Sequence, residues 1–398
     1  MRYILTALLA LAYTVIAVEV RVVSDGAGGW LVRTVGGKAR AKSTWLSGYT
    51  KRVKLAIDSD LVDANLANLP VRVSLGDASG ISSTDTSWVL DEVGTNYLKL
   101  AFTSSDGVTK LYGEAEQLTV TNGELWVSVP VVDSSTDSYI YLYATTNADD
   151  NSYMGVAGSA AASNVWPASV ASVWHLGETG TGDRIDSAAS GFDFATQNYD
   201  GEESQTCKIN GGDVLTNSLD YLRDDQANAY SSQTDGSLSL WFTATNDATL
   251  FASADNAAAA NSYIIFSVIG GGIRIFQRSS NDSPDNLITT NTAFSDGLDH
   301  HVVISSDGTD YTVYVDNTEE AISINSGSNA GDWFADTAGR DNISCGGILY
   351  NAGTETGGDF GFVDEVRVYS TPLTAPEIKV NYYGDTDALI TYSAQETQ

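Results

Sequence analysis

The stretch Phe360-Gly-Phe-Val-Asp-Glu-Val-Arg-Val-Tyr369 decides the fold, because its apolar and polar side chains alternate in the manner of a β-strand. As a regular strand it places Asp364 on the same face as Val366 and Val368, and this apolar face is predicted to be core. A buried carboxylate at that position requires dense hydrogen bonding or a cation such as calcium. Shortly afterwards, Thr374-Ala-Pro-Glu377 has the spacing of a capping box and predicts a short closing helix.

The same alternation runs through much of the chain. Its 398 residues favour two domains, and 37 Gly and 6 Pro between short β-branched and aromatic runs predict an all-β protein. Residues 45–150 contain a series of such runs, in which one face carries apolar side chains, including Val53, Leu55 and Ile57, and then Leu69, Val71, Val73 and Leu75. Residues 151–169 are rich in small side chains and are predicted to link the two domains.

The charge is unevenly distributed. Residues 1–54 carry 9 basic and 2 acidic side chains, whereas the remainder carries 11 basic and 49 acidic ones, within a net charge of −31. An acidic body of this kind repels nucleic acid and anionic membrane, so neither is expected as a partner.

The N-terminus predicts export. Met1 and Arg2 precede an apolar run that ends at Val18, which is too short for a comfortable membrane span and is typical of a secretory signal peptide, or of an N-terminal anchor. Residues 19–44 form a basic leader. We therefore expect a protein that is secreted or displayed on a cell or virion surface, with no membrane contact beyond this segment.

Several motifs resemble laminin G-like domains of the concanavalin A type. The closing strand and its capped helix resemble the end of such a domain, and the resemblance extends to Ser172-Val-Trp-His-Leu-Gly-Glu178, Asp220-Tyr-Leu222, Ser237-Leu-Ser-Leu-Trp-Phe242 and the hairpin of residues 299–317. It covers residues 170–392, leaves 393–398 as a tail, and implies a two-sheet jelly roll. Asp299 departs from the family pattern, which usually has Trp there.

Residues 45–150 resemble a module of unknown function that precedes such domains in bacterial and phage surface proteins. The resemblance rests on a Trp-Tyr-Arg opening, a Ser-Asp-Gly turn and the run Trp126-Val-Ser-Val-Pro130. Glu114 and Glu116 share one strand face, and we expect them to face solvent or brace a turn rather than catalyse. The whole chain is thus predicted to be all-β, with two β-sandwich domains, the C-terminal one a concanavalin A-like jelly roll.

The family resemblance also implies a structural calcium ion. Its ligands would be the carboxylate of Asp364, backbone carbonyls near Leu176 and Gly177, and the carboxylate of Asp186. The alternative is that Asp364 accepts hydrogen bonds from backbone N–H groups without a metal.

No catalytic pattern is present in the sequence. Glucanases of this fold use a Glu-x-Asp core, and none of the 14 Glu residues has Asp two positions later. The 3 histidines, His175, His300 and His301, fall in strand-like segments and are predicted to be core or edge residues. We therefore expect a protein that is not an enzyme.

Carbohydrate binding is the function most often implied by a secreted jelly roll without catalysis. The expected ligand-binding residues are loop aromatics with neighbouring polar groups, namely Tyr199, Tyr230, Asp332, Trp333, Tyr350 and Asn351. Cys207 and Cys345 are the 2 cysteines, and an even pair in an exported chain suggests a disulfide.

These inferences favour a surface adhesin or receptor-binding protein with a lectin-like domain that binds glycans. The alternative is a structural fibre or coat protein whose sandwiches mediate self-assembly into a homo-oligomer, with the basic leader docking on the acidic body of a neighbouring copy.

Overall fold

The computed structural model describes residues 5–11, 14–24, 30–34, 45–198, 204–215, 220–226, 229–257, 261–279, 283–357 and 360–398. Two compact units are present, residues 1–44 and residues 45–398. In the first, strands β1 (Leu5–Leu11), β2 (Thr14–Ser24) and β3 (Trp30–Thr34) form a 3-stranded antiparallel sheet. The predicted signal segment, residues 1–18, overlaps β1 and the first part of β2, and its removal stays a prediction.

Residues 45–163 contain eight strands and two short helices, with 3₁₀ turns at Ser59–Leu61 and Tyr97–Lys99. The strands are β4 (Lys51–Ile57), β5 (Leu66–Leu75), β6 (Leu100–Thr103), β7 (Lys110–Leu111), β8 (Gly113–Leu118), β9 (Gly123–Val132), β10 (Ser138–Ala144) and β11 (Met154–Gly155). The helices are α1 (Ser87–Val93) and α2 (Ala160–Ser163).

The remaining residues contain strands β12 to β31, helix α3 and a 3₁₀ turn at Phe334–Asp336. The first ten strands are β12 (Val170–Trp174), β13 (Thr196–Asn198), β14 (Ser204–Thr206), β15 (Gly211–Asp213), β16 (Tyr221–Asp224), β17 (Gly236–Ala244), β18 (Ala248–Ala254), β19 (Tyr263–Ile269), β20 (Gly272–Arg278) and β21 (Asn286–Thr290). The others are β22 (His300–Ser306), β23 (Tyr311–Val315), β24 (Thr318–Glu319), β25 (Ile322–Gly327), β26 (Asn342–Cys345), β27 (Gly347–Tyr350), β28 (Thr354–Gly357), β29 (Phe360–Tyr369), β30 (Ile390–Tyr392) and β31 (Glu396–Thr397), with α3 at Ala375–Asp385.

The first sandwich packs a sheet of order β30-β4-β10-β6-β7 against a sheet of order β11-β8-β9-β5, and β31 also pairs with β4. The predicted inward faces are confirmed. Val53 and Leu55 on β4, and Val71 and Val73 on β5, are all at most 1 % exposed, because alternate side chains of both strands face the common core.

The first sandwich is completed by the C-terminal end of the chain. Strand β30, predicted to belong to the jelly roll, pairs antiparallel with β4, and its Tyr392 lies opposite Leu55. Leu389 and Ile390 are buried in the core of the first sandwich, together with Val380 from α3. The jelly roll therefore ends with β29, and the segment that follows returns to the first sandwich.

Residues 151–169, predicted as a linker, are packed structure. Strand β11 pairs parallel with β8, helix α2 buries Ala161 and Ala162, and Trp166 is only 6 % exposed. The two sandwiches are therefore joined by a folded segment rather than by a flexible one.

The second sandwich has two 8-stranded sheets. We call the sheet of order β14-β15-β29-β17-β22-β23-β24, with β12 paired to β29, the front sheet, and the sheet of order β13-β16-β26-β18-β19-β20-β21-β25 the back sheet. Their facing sides enclose the largest apolar core, to which the front sheet contributes Leu240, Phe242 and Val368 and the back sheet Phe251 and Phe266. Two sheets that enclose one core confirm the predicted jelly roll.

The predicted capping box at the start of α3 is also confirmed. Glu377 Oε2 accepts hydrogen bonds from Thr374 N at 2.8 Å and from Thr374 Oγ1 at 2.6 Å. Both bonds run from Thr374 to the carboxylate of Glu377, which satisfies the backbone N–H group of the N-cap residue. None of the described helices has the length and apolar character needed to cross a membrane.

Candidate functional site

Two of the predicted sugar-binding aromatics are core residues instead. Trp333 is 0 % exposed and packs against Phe334, while Tyr230 is 6 % exposed and its hydroxyl donates to Ser172 Oγ at 2.8 Å. The prediction that they stack on sugar is wrong, because the loops that carry them fold into the jelly-roll core. Tyr199 lies outside the described residues.

The other three predicted ligand-binding residues have different surroundings. Asp332 accepts a hydrogen bond from Asn286 Nδ2 at 2.7 Å, and its carbonyl accepts one from the Tyr311 hydroxyl. Tyr350 packs edge-on against Tyr263, with ring centroids 5.7 Å apart. Asn351 follows it on an exposed turn with φ of 48°. Of the predicted set, Tyr350 is the residue that borders the surface described next.

A surface with two arginines lies on the outer side of the back sheet. We call it the arginine face and define it by Tyr263, Ser267, Arg274, Phe276 and Arg278. In the register of β19 and β20, Tyr263 lies opposite Arg278 and Ser267 lies opposite Arg274. Intervening side chains such as Ile275 face the core, so these five face outward.

The two guanidinium groups of the arginine face flank one aromatic ring. The Cζ atoms of Arg274 and Arg278 lie 5.4 Å and 5.3 Å from the Phe276 centroid, and Arg278 Cζ lies 5.6 Å from the Tyr263 centroid. Tyr263 and Phe276 meet edge-on at 5.1 Å. The result is an apolar patch with a cation at each side.

Neither arginine of this face is neutralised among the residues that the structure describes. Both are half-buried, and the Nε atoms of Arg274 and Arg278 and the hydroxyl of Ser267 are buried without a hydrogen-bond partner. Burial lowers the pKa of Arg274, although the negative charge of Asp247 partly offsets this by raising the pKa. In a chain of net charge −31, two guanidinium groups on one face, neither in a salt bridge with a described residue, suit an anionic ligand.

A second polar centre lies between the two sandwiches, and an irregularity in β29 creates it. The register of β29 against β17 shifts between Ser239 and Trp241, and Glu365 has φ of 52°, which marks a β-bulge. Val363 and Val366 both face the jelly-roll core. The prediction that Asp364 shares the core face with Val366 is therefore wrong.

The bulge turns Asp364 and Glu365 away from the jelly-roll core and towards the first sandwich. Glu365 Oε2 accepts a hydrogen bond from Arg367 Nη2 at 2.7 Å, and Arg367 Nη2 also lies 3.0 Å from Asp385 Oδ1 on α3. Trp241 Nε1 donates to Asp385 Oδ2 at 2.9 Å. One buried arginine thus joins two buried carboxylates.

His175 connects this centre to the first sandwich. Its Nδ1 lies 2.7 Å from Glu365 Oε1 and 3.5 Å from Glu116 Oε2, and its Nε2 lies 3.6 Å from Glu114 Oε2. Both glutamates of β8 are buried side chains, at 0 % and 2 % exposure. The prediction that they face solvent is wrong, because the second sandwich covers this face of β8.

The buried indoles around these glutamates donate to them. Trp166 Nε1 donates to Glu114 Oε2 at 2.9 Å, and Trp126 Nε1 donates to Glu116 Oε2 at 2.9 Å. Ser187 Oγ donates to the other oxygen of Glu114 at 2.6 Å. These bonds hold the carboxylates in fixed positions against His175. We call the seven ionisable residues here the inter-sandwich cluster: Glu114, Glu116, His175, Asp364, Glu365, Arg367 and Asp385.

Burial and mutual repulsion perturb the acids of the inter-sandwich cluster. Burial, and then the charge of Glu365, raise the pKa of both Glu116 and Asp364 well above the usual value. Burial alone would raise the pKa of Glu365 and lower that of His175. The attraction between the two opposite charges outweighs burial, so the pKa of Glu365 is lowered and that of His175 is raised. The cluster has more acids than its cations can neutralise.

The residues predicted for calcium are placed as follows. Asp364 Oδ2 accepts from Ile209 N at 2.8 Å, while its Oδ1 is buried without a partner. Asp186 accepts from Val173 N and Ala188 N, each at 2.9 Å, and also from Phe192 N and Ser190 Oγ. The carboxylate of Asp186 is therefore satisfied by donors of β12 and of its own loop.

The two backbone positions predicted for calcium are adjacent. Leu176 is buried with φ of 59°, and Gly177 follows it next to Asn210. Calcium at these positions stays a prediction.

The predicted disulfide is not formed, since Cys207 and Cys345 are free thiols. Cys207 follows β14 of the front sheet, whereas Cys345 lies in β26 of the back sheet and donates to the Leu250 carbonyl at 3.1 Å. The jelly-roll core lies between the two sheets and separates the two thiols. The prediction of a disulfide is therefore wrong.

The prediction that the histidines are buried is confirmed, at 4 %, 8 % and 1 % exposure for His175, His300 and His301. Burial lowers the pKa of His301 to about 4, while its Nε2 lies 2.8 Å from Ser239 Oγ. Other charges that act on it are those of Asp385, Arg367, Asp316 and Lys208.

A pH-dependent loss of stability follows from the buried His301. The unfolded chain takes up a proton near pH 6.5 and the folded one only near pH 4, so stability is complete above pH 6.5 and falls as the pH drops towards 4. Between pH 7 and pH 5 the natural protein should lose about 2 kcal/mol more than His301→Gln. Urea denaturation of both at each pH measures this, and parallel pH profiles would contradict it.

Sequence reasoning missed both sites, although one left a signal. The run Arg274-Ile-Phe-Gln-Arg278 places Arg, Phe and Arg on one side of a strand by simple alternation. The inter-sandwich cluster joins residues far apart in the chain, and its one visible trace is the adjacent pair Asp364 and Glu365 in an otherwise alternating strand.

Comparison with known proteins identifies the second sandwich. Residues 217–379 match the family model described as the concanavalin A-like lectin/glucanases superfamily. No curated protein gives a significant match to the chain.

Several solved structures are similar to parts of this chain at low identity. A CBM40 module of a Ruminococcus gnavus IT-sialidase, bound to α2,3-sialyllactose, is 16% identical with a TM-score of 0.29, over 37% of this chain and 82% of that one. Domain 4 of a Geobacillus stearothermophilus arabinanase, in complex with arabinotriose, is 20% identical with a TM-score of 0.37, over 54% and 97%. A leech intramolecular trans-sialidase is 18% identical with a TM-score of 0.30, over 38% and 23%.

Proposed function

We propose that this protein, whose residues 217–379 form a concanavalin A-like domain, is a non-catalytic adhesin that binds acidic glycans through the arginine face. It would act as a secreted protein or on a cell or virion surface, with glycans as its partners. The observation that carries the proposal is the pair of half-buried guanidinium groups of Arg274 and Arg278 beside Phe276, whose Nε atoms have no hydrogen-bond partner among the described residues.

The chemistry of this face suits a sugar that carries a carboxylate. A guanidinium group recognises a carboxylate through two parallel hydrogen bonds, and such bonds are stronger than those between neutral groups. The partly exposed ring of Phe276 supplies an apolar surface for the ring of the sugar, and the buried ring of Tyr263 supports it edge-on.

The test is titration calorimetry of the full chain with sialyllactose and with lactose, which lacks the carboxylated sugar. We expect binding of sialyllactose to exceed that of lactose, and Arg274→Ala or Arg278→Ala to weaken it at least about tenfold, since a hydrogen bond to a charged group contributes about 1.5–3 kcal/mol. A wider glycan array with the same variants extends the test to other carboxylated sugars.

The matched control is Lys54→Ala, which removes a cation 4.2 Å from the Tyr139 ring centroid on the first sandwich. This variant loses the same charge and should bind as the natural protein does. Arginine variants that bind like the control would overturn the assignment to the arginine face. If the full array shows no glycan bound, the proposed function itself is wrong.

A further inference from the structure

Three side chains of the inter-sandwich cluster converge on one point. Glu116, His175 and Glu365 each offer one ligand atom, and these atoms lie within 4.8 Å of one another. Glu116 belongs to β8 of the first sandwich, whereas His175 follows β12 and Glu365 lies on the bulge of β29 in the second. The group therefore spans the boundary between the sandwiches.

The distances within the group are close to those of a metal centre. Zinc binds nitrogen and oxygen at about 2.0–2.1 Å, so neighbouring ligands of a tetrahedral ion lie about 3.3 Å apart. His175 Nδ1 is 3.5 Å from Glu116 Oε2, which is near this value, and 2.7 Å from Glu365 Oε1. An ion that replaces the proton between His175 and Glu365 requires the latter distance to lengthen by about 0.6 Å.

The surroundings of the three ligands supply the outer contacts that metal centres use. Metal-bound histidines donate their second N–H group to a carboxylate or carbonyl; His175 Nε2 is buried without a hydrogen-bond partner, and Glu114 Oε2, at 3.6 Å, is a carboxylate oxygen near it. Glu116 is held by the Trp126 indole and Glu365 by Arg367. Glu116 and Glu365 are thus oriented by neighbours before any ion arrives.

A buried polar atom without a partner is an independent observation in favour of a ligand here. Glu116 Oε1 is buried without a hydrogen-bond partner, although its side chain is only 2 % exposed. The described cluster contains five carboxylates and two groups that can be cationic: Glu114, Glu116, Asp364, Glu365 and Asp385 against His175 and Arg367. Buried charges are stable when they are paired or bound to a metal.

We propose that Glu116, His175 and Glu365 bind a divalent transition-metal ion, with Zn²⁺ as the best match, and that this ion joins the two sandwiches. The imidazole nitrogen favours a transition-metal ion over calcium, because zinc accepts nitrogen and carboxylate ligands while calcium takes oxygen ligands. The role is structural, since the ligands come from both sandwiches and an ion bound only to the folded state adds its binding free energy to stability.

A polar cleft lies next to this position in the sequence of β8, although none of the three ligands lines it. Its volume is about 440 Å³, and its lining includes Gln117, which follows Glu116, together with Asn210 and Arg72. The ion can enter while the sandwiches assemble, because the ligand set is complete only after they meet. Refolding in the presence of zinc is therefore the appropriate way to load the protein.

The test uses the full chain without a polyhistidine tag, stripped of metal in denaturant with chelator and refolded with Zn²⁺, Ca²⁺ or no added ion. We expect one equivalent of zinc per chain by elemental analysis after gel filtration, and a higher unfolding temperature with Zn²⁺ than with Ca²⁺. Refolding with Co²⁺ should give the intense visible absorption of a cobalt centre of low coordination number. This measurement requires only the natural protein, so it does not depend on whether a variant folds.

The variants Glu116→Gln and His175→Gln should each lower zinc affinity at least tenfold. The matched control is His300→Gln, because His300 lies 2.7 Å from Asp316 Oδ2 and 3.1 Å from Asp296 Oδ1, and no third ligand converges on it from the part of the chain that the structure describes. Natural protein that retains less than a tenth of an equivalent of zinc, or zinc retention that is unchanged in His175→Gln, would overturn the inference. Stabilisation by Ca²⁺ alone would also overturn it and would favour the calcium ion expected from sequence.

Discussion

Replacing Arg367 by leucine is expected to lower the free energy of unfolding by about 3–5 kcal/mol, the range for removing one partner from a buried ion pair. The guanidinium group is 2 % exposed and lies 2.7 Å from Glu365 Oε2 and 3.0 Å from Asp385 Oδ1. Without it, two buried carboxylates lose their shared cation. Urea denaturation in the presence of chelator, followed by tryptophan fluorescence, measures the change without a contribution from bound metal.

The matched control is Lys379→Ala on the same helix as Asp385. Lys379 Nζ lies 2.7 Å from Asp63 Oδ1, but Asp63 is 58 % exposed, and such surface pairs contribute only about 0–1 kcal/mol. A change at Arg367 no larger than that at Lys379 would show that the inter-sandwich cluster does not depend on its arginine.

Removal of residues 389–398 should destabilise the first sandwich by more than any single substitution in it. The truncation deletes β30 and β31, leaves one edge of β4 unpaired, and removes three core side chains, Leu389, Ile390 and Tyr392, of which the largest exposure is 4 %. Each such side chain contributes about 2–5 kcal/mol, comparable with the stability of a whole domain. Loss of cooperative unfolding and rapid proteolysis within residues 45–150 would report it.

A shorter truncation provides the control. Removal of residues 394–398 deletes β31 and the pair between Arg52 and Glu396 but keeps β30 and its buried side chains. It should therefore cost no more than about 1–2 kcal/mol, as expected for a partly exposed ion pair and a short edge strand. If the longer truncation unfolds like the shorter one, residues 45–150 fold without the C-terminal strand.

Local patterns predicted local structure well. The apolar positions of β4 and β5 and the capping box of Thr374 and Glu377 were all readable, because each depends on residues within a few positions of one another. The arginine face could also have been predicted from local sequence, since Arg274, Phe276 and Arg278 occupy alternate positions of a single strand.

The sequence by itself therefore determined the all-β class, the strands, the capped helix and the jelly roll of this protein. Only the tertiary structure decided that Asp364 and Glu365 turn outward at a bulge, that Glu114 and Glu116 are covered, and that the last strands close the first sandwich. The physical reason is that alternation fixes which side chains share a face, whereas the partner of that face is fixed by packing between segments hundreds of residues apart. A polar face then becomes a buried charge centre only when a second sandwich covers it.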